Sequence, residues 1–227
     1  MRKLYKNLAV EKKLISIITI LTIIILICCN PSPHHHKRLA VPFIQQWYNG
    51  WCGAACIQMW AYYQGLNPGQ DDIAAFIGWT ISNVFAIANG VTHFTNSYGF
   101  PGIYDSGDYQ QDTAMSAQVA SVEDNIPSIS IIEHGTHAVI VIGFDWTDTL
   151  TGPRADGVTF HDPLRGPDWY RSAGLWKEGW FTDYNGEHLI VLGHYVYIGI
   201  GESGYIEFLD QGGNYYGGPK HYDPLPI

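Results

Sequence analysis

The segment QQWYNGWCGAAC, residues 45–56, sets a cysteine directly after a Gly-Trp pair and before an apolar run of helical character. A thiol there can pack as a small apolar side chain, or it can act as a nucleophile. Nucleophilic use demands more: a base within hydrogen-bond reach, a group that orients the base, and donors for a developing oxyanion. The sequence offers a residue for each role. Cys52 would open a helix, whose positive N-terminal end favours a thiolate, and Gly53 and Ala54 would leave the helix mouth uncrowded for a substrate backbone. Gln46, six residues upstream, would return across the Tyr-Asn-Gly turn and share the oxyanion with the Cys52 backbone N–H; Gln45 takes that place if the turn differs by one residue. His137 heads the apolar run HAVIVIGFD, a rigid mount for an imidazole, and Asp162 in FHDP ends the next strand, with Pro163 fixing the backbone behind it. Adjacent antiparallel strands would set the two side by side. The carboxylate then accepts from one imidazole nitrogen while the other faces the thiol.

The elements that must carry these residues are legible in outline. CGAACIQMWAYYQG has no proline, is apolar all round and closes on Gly65, which predicts a central buried helix with Cys56 in its core. NPGQDDIAAFIGW predicts a short second helix capped by Asp71 or Asp72, and SNVFAIANGV a third that ends near Gly90. The stretch 92–112, rich in Gly, Tyr and Asp, reads as loop, and TAMSAQVASVEDN as a further helix. After Pro127 the period changes. SISII, THAVIVIGFD and GVTFHDP are β-branched runs bounded by turns, with TDTLTGPRADG as a long hairpin loop and Asp145 as a strand-end cap. HLIVLGHYVYIGI and GYIEFLD add candidate strands, and PDWYRSAGLWKEGW reads as core rather than as a cleft wall. Helices first and strands later predict an α+β fold, a helical half packed on an antiparallel sheet half.

The 227 residues allow one domain of moderate size once the N-terminus is set aside. A basic start and the fourteen-residue apolar run Leu14–Ile27 are too short for a membrane span and suit a signal peptide. LICCNPSP follows, which resembles a bacterial lipoprotein box with Cys29 as the lipidated residue. The expected organisation is a signal at 1–29, a tether at 30–40 that includes the solvated His34–His36 run, and a domain at 41–227. Five basic residues and one acid precede Leu14, leaving seven basic residues against twenty acids. Such a surface repels phosphate backbones and anionic headgroups, so nucleic acid is excluded as a partner and membrane attachment is confined to the N-terminus. Only Cys52 and Cys56 remain in the exported part, four apart on one helix, where a disulfide would be unusual. His134, His137 and His161 invite a zinc reading, but His161 should face away from Asp162 along its strand, and no metal is expected.

The series Q-x5-CGAA, GTHAVIVIGFD and HDP resembles the papain-fold cysteine peptidases, in particular the family 39-like group that includes bacteriocin-processing peptidase domains. The resemblance runs from about Val41 to Tyr170. It implies a papain-like fold, an acyl-enzyme mechanism without a cofactor, a peptide or protein substrate, and the order Gln46, Cys52, His137, Asp162. Ala54 stands where the family often has proline, and the His137-to-Asp162 spacing is longer than usual. No stretch resembles an ATPase or a multi-span region, so cleavage at double-glycine leaders is not carried over. The expectation is an exported, lipid-anchored or secreted cysteine peptidase of the cell envelope. The alternatives are an acyl transferase or amidase on the same residues, and a non-catalytic surface-binding domain of the same fold.

Overall fold

The structure is a computed structural model that describes residues 32–78, 83–105, 108–133, 135–149, 152–180, 187–193, 208–209 and 215–216. The expected signal with Cys29, His134 and most of the chain beyond residue 193 lie outside the described residues. The chain divides into two units after Pro33, and the second, His34–Ile227, holds every described helix and strand.

Helix α1 (Cys52–Tyr63) is the axis of the helical half. Every residue from Cys52 to Ala61 is buried, which is why the helix carries no polar stripe. Full burial of Ile57 and Met59 contributes about 1.5–3 kcal/mol each. Gly65 ends the helix at φ 78°, in a turn where Leu66 N–H donates to Ala61 O. Helix α2 (Gln70–Ile77) follows Gly69, which takes the cap position; Asp71 and Asp72, expected as caps, fall instead in the first turn, where their charge complements the helix dipole. Helix α3 (Val84–Phe94) is capped by Asn83, whose Oδ1 accepts from Phe85 and Ala86 N–H. It runs a full turn past Gly90. A Cβ at Gly90 would lie 2.6 Å from Ile57 Cδ1 and 2.8 Å from Ile77 Cγ2, so this glycine permits close helix approach rather than ending the helix.

The sheet half contains β1 (His34–Arg38), β2 (Phe100–Asp105), β3 (Ser128–Ile132), β4 (His137–Thr149), β5 (Gly152–Asp162), β6 (Gly166–Ser172) and β7 (Glu187–Leu192). They form one antiparallel sheet in the order β2-β7-β3-β4-β5-β6. The thirteen-residue β4 is its spine: its first part pairs with β3 and its second with β1, while β5 runs along its other edge. Helix α4 (Asp108–Glu123) packs on β5, and α5 (Ala173–Trp180) follows β6. The architecture is α+β, with the helical half on the antiparallel sheet half.

Several expectations give way here. The His run is not a tether. Its backbone pairs from His34↔Thr147 to Arg38↔Gly143, and its side chains meet carboxylates: His34 faces Asp156 at 3.8 Å, His35 lies 2.8 Å from Asp148 and stacks on Trp146, and His36 bonds Asp145. Asp145 therefore sits mid-strand between His36 and the Tyr170 hydroxyl, not at a strand end. The expected hairpin loop is mostly strand, because β4 and β5 stay paired as far as Thr149↔Gly152. The expected loop at 92–112 contains β2, whose pairing with β7 supplies the order its composition lacks, and the start of α4. Of the Trp-rich segment, Trp176 is buried against Phe160, while Trp169 and Tyr170 are exposed.

Candidate active site

Four chain segments converge around Cys52. The segment before α1 makes a turn in which Trp51 N–H donates to Tyr48 O at 3.2 Å, and Gly50, at φ 87°, takes the left-handed conformation that turn requires. This sets Cys52 at the first turn of α1, where backbone N–H groups lack helical acceptors. From the sheet side, Ala138 N–H donates to Cys52 Sγ at 3.3 Å, so β4 holds the sulfur with a backbone dipole of the sign that favours negative charge. No disulfide joins Cys52 to Cys56, and both are buried. Gly53 does not open the helix mouth as its size suggests: a Cβ there would stand 3.2 Å from Ile87 Cδ1, so its small size serves the contact with α3.

His137 begins β4, and Asp162 ends β5, the strand beside it. His137 Nε2 donates to Asp162 Oδ1 at 2.8 Å, with 5 % and 1 % of the two residues exposed. A carboxylate only accepts, so Nε2 carries a proton and Nδ1 is the nitrogen left for the hydrogen bond that His137 shares with Cys52. Burial alone would push the imidazole down. The hydrogen bonds to Asp162 and Cys52, with the charges of both partners, outweigh it and bring His137 up to about 9.

Asp162 is itself held on four sides. Its Oδ1 also accepts from the N–H groups of Leu164 at 2.9 Å and Arg165 at 3.1 Å, and Arg165 Nη1 reaches Oδ2 at 3.1 Å. Burial works against its charge, but the His137 contact and these donors hold it below the usual carboxylate range. The same Arg165 Nη1 lies 2.5 Å from Glu133 Oε1. Glu133, at φ 54°, sits in the β3–β4 connection, and its carbonyl accepts from both N–H and Oγ1 of Thr136, the residue before His137. Cys56 is held neutral: burial, then the neighbouring Cys52 and Asp162, pushes its thiol well above its ordinary value.

Gln46 is anchored next to Asp162 rather than directly on Cys52. Its N–H donates to Pro163 O at 3.0 Å, and its Nε2 donates to Tyr48 O at 3.0 Å, the same oxygen that takes Trp51 N–H. The amide therefore stands over the turn that leads into Cys52, while Gln45 is exposed. His161 turns elsewhere: its Nε2 donates to Val41 O at 2.9 Å and its Nδ1 accepts from Asp168 N–H at 3.1 Å, and burial keeps it down and neutral. A cleft of about 420 Å³ between Arg38, Val41, Phe43, His161 and Asp168 contains none of the four predicted residues. Sequence reasoning missed Glu133, Arg165, Gln58 and Gln70. For Arg165 a signal existed, because Asp-Pro followed by a short turn back into a strand places the next N–H groups on the Asp side chain.

Residues 38–182 match the family described as Peptidase_C39 like. No curated protein matches the chain. Among solved structures, the chain is similar to a double-glycine-motif protease from an AMS/PCAT transporter in complex with its leader peptide, at 17 % identity and TM-score 0.47, covering 69 % of this chain and 94 % of that one. A C39-like peptidase from Bacillus anthracis aligns at 14 % identity and TM-score 0.49, over 70 % and 98 %. The peptidase domain of a bifunctional ABC transporter from Streptococcus aligns at 13 % identity and TM-score 0.43, over 70 % and 100 %. With the family matched over well more than half its length, this chain belongs to the Peptidase_C39-like family of cysteine peptidases.

Proposed function

We propose that the chain is a cysteine peptidase that hydrolyses peptide bonds through Cys52, His137, Asp162 and Gln46. The observation that carries the reading is His137 held by Asp162 through Nε2 while it bonds Cys52. His137 takes the Cys52 thiol proton at Nδ1, and the imidazolium so formed, held by Asp162, stabilises the sulfur's negative charge. The sulfur attacks the carbonyl carbon of the scissile amide, and the electron pair of the C=O bond moves onto oxygen. Gln46 Nε2 and the Cys52 backbone N–H donate to that oxyanion. On collapse, the C–N bond breaks, and His137 Nδ1 protonates the departing amine. Neutral His137 then takes a proton from water, whose oxygen attacks the thioester. The acid leaves, and the thiolate–imidazolium pair returns. Asp162 keeps the ring aligned and stabilises its positive charge throughout.

Peptide-library turnover by the full chain tests this, with cleavage read by mass spectrometry. Cleavage that disappears in Cys52→Ala supports the reading, and equal cleavage by both proteins contradicts it. Added hydroxylamine separates hydrolysis from acyl transfer, since a transferase yields the hydroxamate in preference to the acid. The proposal includes export through the N-terminal segment. Fractionation of expressing cells tests that, and loss of lipid labelling in Cys29→Ala tests anchoring.

A further inference from the structure

We infer that Gln70 is a positioning residue for the oxyanion site: its side-chain amide clamps the backbone on both sides of Gln46 and so fixes where the Gln46 donor stands. This rests on the role proposed for Gln46. Gln70 is completely buried at the start of α2, although glutamine is a residue type that is rarely interior. Its Oε1 accepts Trp47 N–H at 2.7 Å, and its Nε2 donates to Gln45 O at 3.2 Å. The two bonds address the peptide groups that flank Gln46. The second Nε2 hydrogen donates to Gln58 Oε1 at 2.9 Å, and Gln58 Nε2 in turn donates to Pro68 O at 3.0 Å. Gln58 lies on α1, the helix that Cys52 opens. The segment bearing Gln46 is therefore tied to the helix bearing the nucleophile through two buried amides.

The Gln46 N–H between these two bonds is also held, because it donates to Pro163 O beside Asp162. The Gln46 backbone thus sits between α2 on one side and the Asp162 turn on the other. Folding alone does not call for two buried glutamines here, since each costs desolvation unless all its bonds are made. Catalysis does call for such bracing: an oxyanion donor must be preorganised, and a misplacement of about 1 Å can cost about a hundredfold in rate.

The test compares two reactions of Cys52 in the full chain. Iodoacetamide alkylates the thiolate by displacing iodide, and no oxyanion forms. p-Nitrophenyl acetate acylates the same sulfur through a tetrahedral oxyanion, which collapses with release of p-nitrophenolate. In Gln70→Met, we expect Cys52 acylation to slow at least tenfold while alkylation stays within twofold. Gln70→Glu keeps the acceptor for Trp47 N–H but loses the donors to Gln45 O and Gln58 Oε1, and it too should slow acylation while leaving alkylation within twofold. In a Gln46→Ala background, Gln70→Met should add less than a further twofold. Equal slowing of both reactions, unchanged acylation, or independent effects in the Gln46→Ala background would each overturn the inference. A parent Cys52 inert to both reagents would instead overturn the nucleophile reading beneath it.

Discussion

His137 and Asp162, twenty-five residues apart in sequence, meet at 2.8 Å because one begins β4 and the other ends β5, its antiparallel neighbour. Asp162 is a nearly saturated carboxylate, bound by an imidazole, two backbone N–H groups and a guanidinium. An opposite charge this close is worth about 1–3 pKa units to the imidazole. Asp162→Asn keeps the shape and removes the charge. The expected result is a His137 pKa that falls from about 9 toward neutrality by NMR titration, with kcat/KM reduced at least tenfold.

The pH dependence follows with a definite sign. His137 rises from its ordinary 6.5 to about 9 on folding, so its stabilisation is complete below about 6.5 and is lost as pH rises through about 9. Asp162 moves the other way, and its stabilisation is lost as pH falls through the acid range. Urea midpoints measured across pH should decline on the alkaline side, and His137→Ala should flatten that decline. Hydrolysis needs the imidazolium to protonate the leaving amine, so kcat/KM should show an alkaline limb near pH 9.

Arg165 offers a separation of stability from activity. Arg165 and Glu133 each have 43 % of the side chain exposed, and such an ion pair is worth at most about 1 kcal/mol. Arg165→Gln should therefore shift Tm only slightly. It also removes the donor on Asp162 Oδ2, and kcat should fall severalfold with KM little changed. Arg165→Lys should recover part of the loss. Steady-state kinetics beside a thermal melt check both halves.

The two glycines packed among the helices should respond differently to alanine. A Cβ at Gly90 meets Ile57 and Ile77 below 3.0 Å, and overpacking of this kind costs about 1–3 kcal/mol. At Gly53 the nearest atom is the end of the Ile87 side chain at 3.2 Å, and alanine favours the helix by about 1 kcal/mol. Denaturant unfolding should show Gly90→Ala clearly destabilised and Gly53→Ala near neutral.

What the sequence displayed was the part of the fold written in local pattern. The apolar run from Cys52 and the β-branched runs after Pro127 each state their own period, so α1, β3, β4 and β5 were legible, with His137 and Asp162 at strand ends. Strands that depend on a distant partner were not. β1 is polar and follows Pro33, and only the far half of β4 makes it a strand. β2 holds two glycine- or proline-type breakers and is ordered by β7. Gly90 shows the same limit on a helix, because a close contact between helices leaves the same residue as a helix stop. The site divides similarly: residue types suggested Gln46, Cys52, His137 and Asp162, whereas nothing local marks a glutamine such as Gln70 as buried beneath another glutamine's backbone.

The most direct measurement is the pH dependence of iodoacetamide alkylation in the native full chain, read by mass spectrometry separately at Cys52 and Cys56. A thiolate–imidazolium pair predicts rapid alkylation of Cys52 well below pH 8, its loss in His137→Ala, and an inert Cys56 throughout. Cys52 as unreactive as Cys56 in the folded protein, or equally reactive with and without His137, would contradict the account.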